Sequence, residues 1–341
     1  EIFVHLIARA LSCGSLEQAI ITACSKVEGA YSLLIMSEGR IYAVRDPHGF
    51  HPLSMARMND AWVFASESCA FDLLEAEYLR EVQPGEMVIV EPGALECRSV
   101  RISSREIPVR QCIFELVYFA RPDSRIFGED VYQCRKCMGR NLIRESPADA
   151  ECVIPFPDSG IYASLGVAQE AGVPYEHALI RNHYVGRTFI QPSQSMRQFS
   201  VRVKINPVRS MIENKSLYVV DDSVVRGTTI RTRVAKLREL GARAVHFRVS
   251  SPPVKHPCFY GIDFPSPADL IATKYTPEQI AEMLGLDSLH YLSLDGLLAS
   301  VSCPDHYCTA CFTGEYPTAL PEVQDKMSLE YRRKGDVRFQ S

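Results

Sequence analysis

The run Leu217-Tyr218-Val219-Val220-Asp221-Asp222-Ser223-Val224-Val225-Arg226-Gly227-Thr228-Thr229 constrains this chain more than any other feature. An apolar strand ends on two adjacent carboxylates, and a short loop rich in Ser, Gly and Thr leads into a helix. A helix N-terminus offers free backbone N–H groups and the positive end of its dipole, which suits a phosphate monoester. Ser223, Thr228 and Thr229 add hydroxyl donors, and Gly227 lets the backbone approach the anion. Two carboxylates would repel a phosphate unless they serve something else. A ribose diol, or a magnesium ion held partly through water, removes the conflict. Phosphate and diol on one molecule describe a ribose 5-phosphate. No Gly-x-x-x-x-Gly-Lys is present, so this is not a P-loop, and the Gly-x-Gly-x-x-Gly of a dinucleotide fold is missing too.

A second stretch fits a polyphosphate ligand. From His177 to Ile212 there is no Asp or Glu, while Arg181, Arg187, Arg197, Arg202, Lys204 and Arg209 all occur. Tyr184-Val185-Gly186-Arg187-Thr188-Phe189-Ile190 lies inside it, and a long basic loop with an internal glycine is what a lid over pyrophosphate requires. The basic character is local: 37 Lys+Arg against 41 Asp+Glu argue against a general nucleic-acid binder.

At 341 residues, two domains are expected. Residues 1–105 read as helix plus antiparallel meander. An amphipathic helix opens the chain (Ile2, Phe3, Leu6, Ile7, Leu11), and Ser15-Leu16-Glu17-Gln18 caps a second one running to about Val27. Strands follow at Tyr31–Met36, Arg40–Arg45, Ala61–Ala65 and Glu86–Glu91, with a helix at Glu67–Leu74. Beyond residue 105 the pattern becomes strand, loop, helix, strand: Glu151–Pro155, a helix to Ala171, Ser216–Val220, a helix carrying Ile230, Val234, Leu237 and Leu240, then Arg243–Ser250. This is the pattern of a parallel, doubly wound sheet. A helix at Pro277–Leu284 and a strand at Leu289–Leu292 precede Cys308-Thr309-Ala310-Cys311, and residues 321–341 form a charged tail. No apolar run approaches the ~18 residues of a membrane span. The expected location is cytoplasmic, with no membrane or nucleic-acid partner.

Twelve cysteines in a large chain without a secretion signal read as metal ligands, reactive thiols or packing rather than a disulfide framework. Two Cys-x-x-Cys pairs stand out, Cys134/Cys137 and Cys308/Cys311, and together they would make a four-cysteine zinc site. The first pair lies in a helical stretch, where an i, i+3 pair also suits plain packing.

The Asp-Asp string resembles the phosphoribosyl pyrophosphate (PRPP) loop of phosphoribosyltransferases. Further strings extend the likeness nearly end to end: Gly29-Ala30-Tyr31, Arg45-Asp46-Pro47-His48-Gly49, Ala65-Ser66-Glu67-Ser68, Pro84-Gly85-Glu86, Tyr118-Phe119-Ala120-Arg121-Pro122-Asp123-Ser124 and Pro157-Asp158-Ser159. In this order they resemble the glutamine PRPP amidotransferases (amidophosphoribosyltransferases), which open purine biosynthesis. The resemblance implies part of an N-terminal-nucleophile (Ntn) glutaminase domain at 1–105 and a type I phosphoribosyltransferase domain at 106–320. It implies that Asp221, Asp222, Ser223, Arg226, Gly227, Thr228, Thr229, Tyr184 and Arg187 bind PRPP, and that Ser159 joins Asp221 and Asp222 around magnesium. It implies a [4Fe–4S] cluster on Cys112, Cys258, Cys308 and Cys311. It also implies glutamine or ammonia as nitrogen source, purine-nucleotide inhibitors and a homotetramer.

The departures carry expectations of their own. The family's glutaminase nucleophile is an N-terminal cysteine whose α-amine is the base, and Glu1 is not that residue. About one hundred residues of a glutaminase domain are therefore expected to be absent, with the nucleophile among them. His51 stands where the family usually has Arg, and His183 where Arg commonly precedes the Tyr-Val-Gly-Arg. A non-catalytic PRPP-binding regulator and an inactive fragment are the alternative readings.

Overall fold

The structure, a computed structural model, describes residues 1–181, 205–264 and 267–320. Helices α1 (Ile2–Ala10) and α2 (Leu16–Cys24) come first, the latter capped where Ser15 Oγ accepts from the Gln18 N–H at 3.3 Å. Seven strands follow: β1 (Ser32–Ser37), β2 (Arg40–Arg45), β3 (Ser54–Met58), β4 (Ala61–Ala65), β5 (Glu77–Glu81), β6 (Glu86–Val90) and β7 (Arg98–Arg101), with α3 (Cys69–Leu73) after β4. They form two antiparallel sheets ordered β1-β2-β6-β7 and β4-β3-β5. Strand periodicity decides the layering. Tyr42, Val44, Met87 and Ile89 face the two helices, packing on Ile20, Ala23 and Cys24. The alternate residues Ala43 and Val88 face Met55 and Val82 of the second sheet region. The meander reading missed β3, β5 and β7. Glu77–Glu81 and Arg98–Arg101 are sheet-edge strands that carry charge, so they lack an apolar alternation.

The second half begins with β8 (Gln111–Cys112), a π-helical turn at Glu115–Phe119, the β9 (Arg125–Ile126) and β10 (Glu129–Asp130) hairpin, and α4 (Val131–Glu145). Then come β11 (Cys152–Pro155), α5 (Ile161–Ala171), β12 (Leu179–Arg181), β13 (Ile205–Pro207), β14 (Ser216–Asp221), α6 (Thr228–Glu239), β15 (Ala244–Val249), α7 (Pro277–Leu284), β16 (Ser288–Tyr291), α8 (Leu294–Leu298), β17 (Tyr307–Cys308) and α9 (Ala310–Thr313). The main sheet is parallel, ordered β11-β14-β15-β16. Val153, Tyr218 and Val220 pack with Met138 and Leu142 of α4 and Val167 of α5. On the other face, Ile154, Leu217 and Val219 pack with Val234 and Leu237 of α6 and Ile280 of α7. Helices on both faces make the sheet doubly wound. Tyr175 bridges Val153 on the outer side of β11, in parallel sense. The chain thus runs from β11 outward to Tyr175 and only then back to β14, which places a topological switch point between β11 and β14.

The two halves are joined by the short strings singled out in the sequence. Glu67 Oε2 accepts from the Arg121 N–H and from Ser124 Oγ, both at 2.7 Å, and Ser68 Oγ accepts from the Arg125 N–H at 2.8 Å. Buried Arg45 donates to the carbonyls of Gly49, His51 and Val82, shaping the turn that brings Phe50 onto Tyr260. Those rings stack at 4.1 Å and 14°.

Candidate functional site

A crevice of about 940 Å³ opens at the carboxyl ends of β11 and β14, where an open α/β sheet binds ligands. The Pro157-Asp158-Ser159-Gly160 turn leaves β11 here. Gly160 packs so tightly on β14 that a Cβ would stand 2.2 Å from the Val220 carbonyl oxygen, so only glycine closes this corner. The turn thereby presses Ser159 against the neighbouring strand end, and its Oγ donates to Asp221 Oδ1 at 3.1 Å. The same oxygen accepts from the Asp222 N–H at 3.0 Å. Ser223 Oγ donates to Asp222 Oδ1, and Ser251 Oγ holds the Asp222 carbonyl at 2.8 Å.

Both carboxylates are buried. Burial, and then the charge of Asp222 beside it, push the Asp221 carboxyl well above the usual carboxylate range. Such a pair wants a cation. Gly227, at φ +76°, turns the chain into α6, whose first residues are Thr228 and Thr229. The chain therefore presents a glycine-opened helix N-terminus here, and the side chains of Thr228 and Thr229 lie outside the description. Arg226 points outward, 4.0 Å from Asp269, and is not a crevice residue in this structure.

Tyr184 and Arg187 lie outside the described residues. The segment that carries them is rooted in an antiparallel ribbon of Leu179–Arg181 against Ile205–Pro207. Arg181 lines the crevice and pairs with Asp158.

Sequence reasoning missed the crevice walls: Arg135, Arg233, Tyr118, Phe119, Tyr162 and Asp263. Arg135 lies among the buried residues Val131, Cys134, Met138 and Leu142 of α4. A lone arginine on an otherwise apolar helix face was the available signal. Its Nε and Nη2 donate to the Leu116 and Ala120 carbonyls, each at 2.8 Å, anchoring the π-helical turn whose Tyr118 and Phe119 form a wall.

Four cysteines converge behind the crevice. Cys112 and Cys308 are register partners in the parallel β8–β17 ribbon, Cys311 follows on α9, and Cys258 Sγ accepts from the Tyr260 N–H at 3.3 Å. Burial first, then Glu115 and the other three cysteines, raise the Cys112 thiol well above its ordinary pKa; Cys308 is pushed up to about 11 mainly by burial. Cys134 answers to different neighbours, chiefly burial and Glu129, with Cys137 further along α4. Among the described residues, no three His, Cys, Asp or Glu stand close enough to hold a single metal ion. Among the described residues no helix is long and apolar enough to cross a membrane.

A family model described as a glutamine amidotransferase domain matches residues 1–72. The chain is 47% identical over 328 residues to amidophosphoribosyltransferase 1, chloroplastic, of Arabidopsis thaliana, covering 96% of this chain and 57% of that protein. It is 47% identical over 327 residues to the amidophosphoribosyltransferase of Mycobacterium tuberculosis (94% and 61%) and 46% identical over 339 residues to that of Bacillus subtilis (95% and 70%). A solved glutamine PRPP amidotransferase from B. subtilis, complexed with ADP and GMP, superposes with a TM-score of 0.87 at 46% identity, covering 94% of this chain and 70% of that one. The chain spans about 57–61% of the length of the plant and mycobacterial relatives.

Proposed function

This chain belongs to the amidophosphoribosyltransferase family, and on that premise we propose that its crevice takes PRPP and lets ammonia displace pyrophosphate from C1, giving 5-phosphoribosylamine. Its fold is the family's mixture of α+β and α/β: part of a glutaminase-type domain followed by a phosphoribosyltransferase-type sheet. The boundary is proposed near residue 105, with 106–320 as the transferase unit; residues 321–341 lie outside the described residues.

One observation carries the reading: the buried Asp221–Asp222 pair, held by Ser159, beside a glycine-opened helix N-terminus at a topological switch point. In the reaction the nitrogen lone pair forms the C1–N bond while the C1–O electron pair leaves with pyrophosphate. Positive charge builds at C1 and the ring oxygen as that bond loosens. Fixed carboxylates close to the ribose stabilise it without having to reorganise. The α6 N-terminus holds the 5-phosphate and Arg181 faces the pyrophosphate; Tyr184 and Arg187 bind it in this reading and lie outside the described residues. Ser159, Asp221 and Asp222 form a hard oxygen donor set that fits magnesium, which would supply charge neutralisation of the leaving pyrophosphate.

The Cys112, Cys258, Cys308 and Cys311 thiols fit a [4Fe–4S] cluster: soft donors, mutually repelling as thiolates, with one N–H···S bond to Cys258. A cluster several ångströms across holds its thiolates farther apart than a single ion does. Glutamine as the nitrogen source, purine-nucleotide inhibition, homotetrameric assembly and a cytoplasmic location belong to the same proposal. The test is pyrophosphate release from PRPP with ammonium as the nitrogen donor, which does not depend on the glutaminase half. Ammonium-dependent formation of phosphoribosylamine supports the reading; PRPP binding without turnover favours the regulatory alternative.

A further inference from the structure

Arg233 has no role in the reading above. It lies in the second turn of α6, and helical side chains lean toward the N-terminus, so this half-buried residue reaches back toward the strand end. It lines the crevice together with Asp221 and Asp222. Its guanidinium sits over the Phe156 ring, 4.9 Å from the centroid. Phe156 is fully buried immediately after β11, so this platform is rigid.

Three other guanidiniums line the crevice, those of Arg121, Arg135 and Arg181, and Arg121 and Arg181 pair with Asp123 and Asp158. Arg135 spends Nε and Nη2 on the Leu116 and Ala120 carbonyls. Among the described residues the Arg233 guanidinium makes no hydrogen bond and no ion pair within 4.0 Å, so Asp221 and Asp222 act on it at longer range. Burial draws its pKa down while Asp221 and Asp222 oppose that, and an arginine in such a setting keeps its charge.

We propose that Arg233 is a built-in counter-cation for the Asp221–Asp222 pair, so that the crevice holds a phosphorylated ribose even when no divalent cation is present. This rests on the reading of the crevice as a PRPP site. Two buried carboxylates beside a phosphate cradle repel the anion that the cradle attracts. A fixed guanidinium reduces that repulsion, and a divalent cation reduces it further. The residue thereby sets how strongly ligand binding depends on the metal.

The experiment is calorimetric titration of the full chain with ribose 5-phosphate, once in EDTA and once in magnesium, for the unmodified protein, Arg233→Met and Arg233→Lys. Methionine keeps the contact with Phe156 and removes the charge. Arg233→Met is expected to weaken binding in EDTA by about tenfold or more while losing little in magnesium, and Arg233→Lys to restore most of it. Equal losses in both buffers, or no loss in either, overturn the inference and leave the PRPP site intact. Absence of binding by the unmodified protein in both buffers overturns the PRPP reading, and this inference with it.

Discussion

His51 Nδ1 stands 2.6 Å from Glu115 Oε1, across the seam between the two halves of the chain. Its other ring nitrogen lies 2.5 Å from the Tyr260 carbonyl oxygen. Both partners are acceptors, so the arrangement favours the protonated ring, in which both nitrogens donate. Burial alone would lower its pKa; Glu115, the Tyr260 carbonyl and the more distant Asp46 together outweigh that and hold it above the ordinary value. The ring ties the Phe50 turn to the start of the π-helical turn that walls the crevice.

This contact makes stability pH-dependent in a definite direction. The folded pKa is raised, so the contribution is complete below the unfolded value near 6.5 and is lost as pH rises through the folded one. A charge-assisted pair of this kind contributes about 1.5–3 kcal/mol. Melting temperature should therefore fall from pH 6 to pH 9 more steeply for the unmodified chain than for His51→Gln. His51→Arg keeps a cation at every pH and should flatten the same profile. Parallel profiles for all three proteins would mean that the ring is a neutral spectator.

The helix pair behind the crevice depends on two glycines. A Cβ at Gly139 would lie 2.0 Å from the Ala163 carbonyl oxygen, and one at Gly166 equally close to that of Lys136. These are rigid backbone atoms, so α4 and α5 must separate to admit a methyl. Gly166→Ala should cost at least about 1–3 kcal/mol, read as a lower thermal midpoint. Because α4 carries Arg135 into the crevice, ligand affinity should fall as well. An unchanged midpoint would mean the helices do not cross this closely.

The chemistry that sits on one continuous stretch of backbone was legible in the sequence. Leu217 to Thr229 encodes strand, acid pair, glycine turn and helix N-terminus within thirteen residues, and the fold brings the Ser159 hydroxyl onto Asp221. What pattern alone could not supply was anything assembled across the chain. Cys112 and Cys308 become register partners only because two short segments pair, and no local spacing announces it. Arg233 occupies an unremarkable helix position until α6 is packed on one face of the sheet, and Arg135, although a lone arginine on an apolar helix face, is assigned to the crevice only once α4 is packed on the other. The edge strands at Glu77–Glu81 and Arg98–Arg101 were missed because charge on an edge protects against aggregation and erases the alternation that identifies a strand.

Purified without oxygen, the chain should be brown, with iron and acid-labile sulfide near about four each per chain. Cys308→Ser should remove the colour, since Cys308 faces Cys112 across the ribbon and feels Cys258. Cys134→Ser should leave it, because that thiol sits on α4 against Glu129. Stoichiometric zinc lost from both variants would assign the cysteines to a different site.

The acid pair gives the most direct test of the crevice. Asn at both 221 and 222 keeps the size of the side chains and most of their hydrogen bonds, including acceptance from Ser159 and from the residue 222 N–H. It removes the negative charge. That charge binds the cation and faces the developing positive charge at C1, so its loss acts on the transition state more than on the ground state. Losing one oriented group of this kind costs about 3 kcal/mol in the barrier, on the order of a hundredfold in rate. The double variant should exceed that without being the simple sum, because adjacent residues act as a unit. Stability should move the other way. Burial and mutual repulsion of the two carboxylates work against the metal-free fold, and neutral amides relieve both. Thermal midpoint should therefore hold or rise while ammonium-dependent turnover collapses. A double variant with near-normal magnesium-dependent turnover would reduce Asp221 and Asp222 to a strand terminus, and the assignment of this crevice to PRPP would fall with them.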